Sequence, residues 1–203
     1  MTQVPIVLAS ASPRRKALLE ALGIELDVAV SDAPETLEGV PGEVVIQNAI
    51  AKRDEVRSRT ITPSLIVAAD TVVVIDNELL GKPEDLDAAR AMLARLSGNT
   101  HSVFTGIAIV HTGTDRAAED VEETRVTFRD LTEAEIDLFV EAVRPLDRAG
   151  AYTVDGPGSL LVERYEGCYQ NVLGLPLVCL DRLLRTIGDT LYSRIRADQA
   201  QFL

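Results

Sequence analysis

Hydrophobic and polar positions along this chain switch between the period of a strand and the period of a helix. Residues 6–9 form a short apolar run suited to a buried strand, and residues 14–22 set Ala17, Leu18, Leu19 and Leu22 at helical spacing. Between them Ser12 stands where a helix N-cap belongs. Pro13 stands at the first helical position, where its missing N–H costs nothing. A strand that ends at a helix N-terminus offers unpaired backbone N–H groups and the positive end of the helix dipole, a setting for an anion such as phosphate. Ser10, Ser12, Arg14, Arg15 and Lys16 add hydroxyls and positive charge at the same place.

The pattern continues with a Gly23 C-cap, an alternating strand over 25–30 and an acidic loop containing Glu35. Pro41 and Glu43 open a helix to about residue 58 with Val44, Val45, Ala49 and Val56 on one face; Lys52 within it reads, taken alone, as a solvated helix lysine. Residues 65–69 and 72–75 are rich in β-branched side chains and read as central strand, Asp76-Asn77 as a turn, and 78–80 as its return. Asp70 interrupts that apolar stretch. A buried carboxylate has to be paired, metal-bound or protonated, so Asp70 either caps a strand end with Thr71 or is held at the carboxyl end of a strand, where ligands collect in open α/β sheets. Gly81-Lys82-Pro83 then makes a tight turn that presents a lysine.

Further on, helical spacing covers 84–96, ended by Ser97-Gly98, and two long strands over 101–111 and 119–128 form an antiparallel pair. Thr132 to Glu135 is a capping box for a helix to about residue 143, residues 160–164 return to strand, and 177–186 form the last core helix. Residues 1–186 read as one domain. Residues 187–203, with Leu191, Ile195 and Phe202, read as a tail that forms a short helix or frays.

Composition narrows the function. The 203 residues are 46% hydrophobic and carry a formal charge of −12, which suits a globular core and opposes broad binding to nucleic acid or to an anionic membrane. Against that acidic background residues 1–24 hold three bases and one acid, Glu20. Two cysteines, Cys168 and Cys179, suggest reduced thiols and a cytoplasmic protein. The N-terminal apolar run is too short for a signal peptide, and no stretch approaches a membrane span. His101 and His111 would stand about 33 Å apart on a continuous strand, so they form no joint metal site and read as structural or surface residues.

No P-loop, dinucleotide fingerprint, HExxH, paired CxxC or GxSxG is present, which leaves Ser10 and Ser12 as phosphate-binding hydroxyls in preference to nucleophiles. What remains is a set of cations, Arg14, Arg15, Lys52 and Lys82, with the carboxylates Glu35 and Asp70. Cations neutralise phosphate oxygens, while carboxylates hold Mg²⁺ or orient water for attack on phosphorus; the set therefore suits hydrolysis of a polyphosphate.

The segments LASASPRR, AADTVV, GKP, TGIAI, ETRVTFRDLTEAEI, AGAY and NVLGLPL occur in the order seen in the Maf family, which this chain resembles over about residues 5–186. That resemblance implies an α/β fold with an elongated mixed sheet flanked by helices and two lobes around a cleft, like that of the inosine triphosphate pyrophosphatases. It also implies hydrolysis of nucleoside triphosphates to monophosphate and pyrophosphate with a divalent metal, Mg²⁺ or Mn²⁺, and a homodimer. Carried over by motif, Ser10, Arg14 and Arg15 grip phosphate, and Lys52 and Lys82 add contacts. Asp70 is the catalytic carboxylate, as general base or metal ligand, and Glu35 is its partner at the metal. SPRR with Thr71 in the ADT segment resembles the branch acting on dTTP and UTP. Where that branch has a glutamine in AGAYGIQG, this chain has Asp155, which accepts but cannot donate a hydrogen bond when ionised and so bears on base preference. The alternative is a non-catalytic nucleotide-binding regulator of septum formation, since the family's name comes from inhibition of cell division.

Overall fold

The computed structural model describes residues 3–201; Phe202 lies outside them. Among the described residues seven strands form one mixed sheet in the order β2-β1-β3-β5-β6-β7, with β4 also paired to β3. The strands are β1 (Ile6–Leu8), β2 (Leu26–Val28), β3 (Leu65–Ile75), β4 (Glu78–Leu80), β5 (Thr100–His111), β6 (Arg116–Phe128) and β7 (Val162–Glu166). The helices are α1 (Pro13–Glu20), α2 (Pro41–Arg59), α3 (Leu86–Leu96), α4 (Glu133–Val143), α5 (Tyr169–Val172) and α6 (Leu177–Thr186).

Local chemistry accounts for most boundaries. Ser12 caps α1 by accepting the Arg15 N–H at 3.4 Å, with Pro13 at its first turn. Thr132 and Glu135 complete a reciprocal capping box on α4. Asp76 and Asn77 both adopt positive φ, 51° and 62°, as a two-residue hairpin between β3 and β4 requires. The sequence-level division at Asp70 does not survive. Asp70 lies inside one continuous strand and pairs with Gly106 of β5, because β3 runs on to Ile75 and stays paired with β5 from Leu65 opposite His111 to Val74 opposite Ser102.

One edge of β3 is shared by two short strands. β1 runs parallel to its first part, with Leu8 opposite Val67, and β4 runs antiparallel to its last part, from Val73 opposite Leu80. Between Val67 and Val73 neither strand covers that edge, and the sheet opens there. Each side of the opening has its own apolar core. Ile6, Leu8, Leu19, Leu65, Val67 and Leu180 belong to one; Val73, Leu80, Leu93, Phe128 and Phe139 belong to the other. A third cluster, including Val56, Ile66, Ala68 and Val110, packs α2 against the opposite face of the sheet. The expected two lobes and cleft are thus produced by a break in strand pairing, with β3, β5 and β6 running through both lobes.

After α6 the chain folds back on the β1 side. Leu191 is buried in that core, Arg194 Nη1 donates to the Val4 carbonyl at 2.9 Å, and the Gln201 N–H donates to the Ala21 carbonyl at 2.9 Å.

Candidate active site

The opening in the sheet continues into a cleft of about 570 Å³. Ser10, Arg14, Arg15, Glu35, Lys52, Asp70, Thr71 and Lys82 all line it, although they come from five separated segments. Asp155 does not line it; it is exposed and accepts a hydrogen bond from the Thr153 hydroxyl, while Thr153 itself reaches the cleft.

Asp70 sits on the face of β3 covered by α2, and is buried. Lys52 and Asn48, one turn apart on α2, hold both of its oxygens: Lys52 Nζ donates to Oδ1 at 2.6 Å and Asn48 Nδ2 to Oδ2 at 2.8 Å. Lys52 is itself buried, contrary to the solvated reading, and its ammonium also meets Glu35 Oε1 at 2.6 Å. Partial burial works against charge on Glu35, but the hydrogen bond and positive charge of Lys52 outweigh it and hold the carboxyl below its ordinary pKa. Asn48 additionally clamps the backbone of the acidic loop, donating to the Thr36 carbonyl at 2.9 Å and accepting its N–H at 3.0 Å.

Close approach of α2 makes these contacts possible, and Gly106 permits it. A Cβ at Gly106 would lie 2.5 Å from both the carbonyl carbon and oxygen of Val45, so only glycine lets the helix settle onto β5 beside Asp70. Sequence reasoning assigned no role to Asn48 or Gly106. Signals for both existed: a polar residue four before Lys52 in an otherwise apolar stripe, and a glycine in the middle of a strand.

On the other face of β3, Arg15 is buried and each of its three nitrogens makes one hydrogen bond to protein. Its Nε donates to the Gly174 carbonyl at 2.8 Å, Nη1 to Ser10 Oγ at 3.0 Å and Nη2 to Thr71 Oγ1 at 2.9 Å. Thr71 continues the chain to the Thr105 hydroxyl at 2.9 Å. Burial lowers the Arg15 pKa, opposed chiefly by the Asp70 charge. This polar string lies between the two apolar cores and ties the loop after β1 to β3. Arg14, by contrast, projects toward the cleft mouth with only a long 3.5 Å contact to Asp147, and Lys82 is exposed in the turn after β4.

Five cations, Arg14, Arg15, Lys52, Lys82 and Arg148, therefore share the cleft with three acids, Glu35, Asp70 and Asp147. The cleft is electropositive in a protein of net charge −12. Among the described residues no three or more His, Cys, Asp or Glu side chains gather into a metal-binding group. Glu35 and Asp70 nevertheless meet at one point, the Lys52 ammonium. One or two carboxylates completed by substrate phosphates is the donor set Mg²⁺ favours, so these two residues would serve a divalent cation only through the oxygen lone pairs that Lys52 leaves free.

Fold and site define an α/β protein whose split sheet holds a buried carboxylate beside a cation-lined cleft suited to a polyanion. More particularly, the chain belongs to the Maf-like protein family, whose model matches residues 5–187. It is 43% identical over 189 residues to a protein of Dictyoglomus thermophilum named dTTP/UTP pyrophosphatase, covering 92% of this chain and 97% of that one. A Salinibacter ruber protein of the same name is 47% identical over 185 residues, covering 89% and 90%. A crystal structure of a nucleoside-triphosphatase / dITP/XTP pyrophosphatase from Mycobacterium abscessus is a remoter likeness, with 22% identity and a TM-score of 0.41 over 63% of this chain and 75% of that one.

Proposed function

We propose that the protein is a nucleoside triphosphate pyrophosphatase that hydrolyses dTTP and UTP to the monophosphate and pyrophosphate, with Asp70 as general base. The observation that carries this reading is the Asp70 carboxylate, held at both oxygens by Asn48 and Lys52 inside a cleft otherwise rich in cations. The names of the relatives supply the substrate class.

Each Asp70 oxygen keeps a lone pair beyond the one already engaged, so the carboxylate can accept the proton of a water that attacks phosphorus. The new bond joins water oxygen to phosphorus, the P–O bond to the departing pyrophosphate breaks, and the proton passes to Asp70. Asn48 and Lys52 fix the carboxylate in advance, and fixed geometry lowers the barrier. Arg14 and Lys82 hold phosphate oxygens at the mouth, while Arg15 acts through Ser10 and Thr71, whose positions it sets. Lys52 and Glu35 form the boundary between the base and the phosphates. A divalent cation, Mg²⁺ or Mn²⁺, held by Glu35 and Asp70, would neutralise phosphate charge during the displacement. Thr71 and Asp155 bear on the choice of base, Asp155 from outside the cleft lining.

This reading carries a homodimer in the cytoplasm; the two free cysteines suit a reducing compartment. Incubation with dTTP or UTP and Mg²⁺ is expected to yield monophosphate and pyrophosphate in equal amounts. Release of single orthophosphates would reject the reaction type. Tight nucleotide binding without turnover in Mg²⁺ or Mn²⁺ would favour a regulator of division, although a pure binder has no use for Asp70 beside its phosphate-binding cations.

A further inference from the structure

Arg148 belongs to none of the motifs that identify the site, yet it lines the cleft from the loop between α4 and residues 149–151. Its Nε and Nη1 are shielded from solvent and have no hydrogen-bond partner. An unpaired buried guanidinium nitrogen is costly, more so than a neutral donor, and calls for a compensating ligand. The anion nearest to hand is Asp147, whose Oδ1 lies 3.4 Å from Arg148 Nε and whose Oδ2 lies 3.5 Å from Arg14 Nη1. Both distances exceed the 2.7–2.9 Å usual for a charge-assisted bond. One half-exposed carboxylate thus stands loosely between two guanidinium groups. Those groups repel each other: burial and the neighbouring Arg148 charge both lower the pKa of Arg14. Asp155 adds a more distant attraction to Arg14, but Asp147 is the one acid in contact with either guanidinium, and it is shared between the two.

From this arrangement we infer that Arg148 is a further phosphate-binding residue, paired with Arg14 on one phosphate group of the substrate, and that Asp147 is a resident counter-ion which the phosphate displaces. A phosphate brings two or more oxygens in a geometry that suits the guanidinium fork, and it supplies the acceptors that Nε and Nη1 lack. The loop is anchored for this purpose, since the Gly150 N–H donates to the Gly81 carbonyl at 3.0 Å and so fixes the Arg148 loop against the turn that carries Lys82.

The inference rests on the triphosphate reading above, and steady-state kinetics with pyrophosphate as a competing product separates the two. Arg148→Gln is expected to raise KM for dTTP tenfold or more, with kcat changed less than threefold, and to weaken inhibition by pyrophosphate in parallel; Arg148→Lys recovers part of the loss. Asp147→Asn, which removes the competing charge, is expected to lower both KM and the pyrophosphate inhibition constant at least twofold. Active wild-type protein whose KM and pyrophosphate inhibition are indifferent to Arg148→Gln overturns this assignment alone, as does an Arg148→Gln loss confined to kcat. Asp147→Asn that weakens pyrophosphate binding overturns the counter-ion role. Wild-type protein that neither turns over dTTP nor binds pyrophosphate overturns both readings.

Discussion

Adjacent arginines in one motif do different work. Arg15 spends Nε, Nη1 and Nη2 on Gly174, Ser10 and Thr71, whereas Arg14 has only its long contact with Asp147. A lysine at position 15 can replace no more than part of that fork, and each hydrogen bond from a charged group is worth about 1.5–3 kcal/mol. Arg15→Lys should therefore lower unfolding stability by roughly 2–4 kcal/mol. Arg14→Lys should leave stability within about 0.5 kcal/mol and raise KM instead. Urea unfolding of the two variants beside their kinetics checks the contrast, and equal stability losses would contradict it. The sequence assigns both residues alike to the phosphate grip and offers nothing to tell them apart. Their separation into a buried clamp and a mouth residue depends on Gly174 and Thr71, which lie far off in the chain and whose proximity no periodicity reveals.

Elements, more than single residues, build the active geometry. Helix α2 carries Asn48 and Lys52 to Asp70 only because Gly106 lets it sit directly on β5. Gly106→Ala would place a methyl group against the Val45 backbone, and the helix has to move away. Such overpacking costs about 1–3 kcal/mol, and the displaced Asn48 and Lys52 should lower kcat by roughly tenfold or more, since small misplacements of positioned groups are felt strongly in rate. A variant that loses stability but keeps its kcat would show that α2 does not set the position of the base. Helix and strand identities were largely legible from hydrophobic period and capping chemistry; α6 and the capping box of α4 needed nothing more. The break between β1 and β4 along one edge of β3 was not legible. Pairing partners are set by tertiary packing, and a continuous apolar run reads the same whether its edge is covered throughout or left open in the middle. For that reason Asp70 looked like the end of a strand although it lies within one.

One long sheet joins two cores, and the stability of the whole should respond to a buried histidine packed on Phe128 and on Tyr152, which lines the cleft. His101 is 2% exposed, packs edge-on to Phe128 and Tyr152, and shares a 2.8 Å hydrogen bond between Nε2 and the Tyr152 hydroxyl. Burial lowers its pKa to about 4. An unfolded histidine takes up its proton near pH 6.5, so between about pH 6.5 and 4 the unfolded state binds more protons than the native one. Stability due to this group is therefore complete above that window and is lost as pH falls through it, to an extent of order 3 kcal/mol. The difference in urea midpoint between wild type and His101→Gln should narrow as pH is lowered from 7.5 to 4.5; a constant difference would contradict the buried, neutral imidazole. The cations and acids of the cleft were recognisable as a set from their types and motifs. That they converge on one opening between two lobes follows from the split sheet, which also accounts for the electropositive cleft in an acidic protein.

In the proposed reaction Asp70 performs the chemistry while the surrounding cations bind the phosphates. Asp70→Asn keeps the side-chain shape and removes the base, so the decisive measurement is single-turnover hydrolysis of dTTP by this variant beside its equilibrium binding of the same nucleotide. The expected result is a loss in rate of roughly 10²–10⁴-fold, with dTTP affinity kept within about tenfold. Hydrolysis that persists at a rate near wild type, or a loss fully explained by failure to bind, would contradict it.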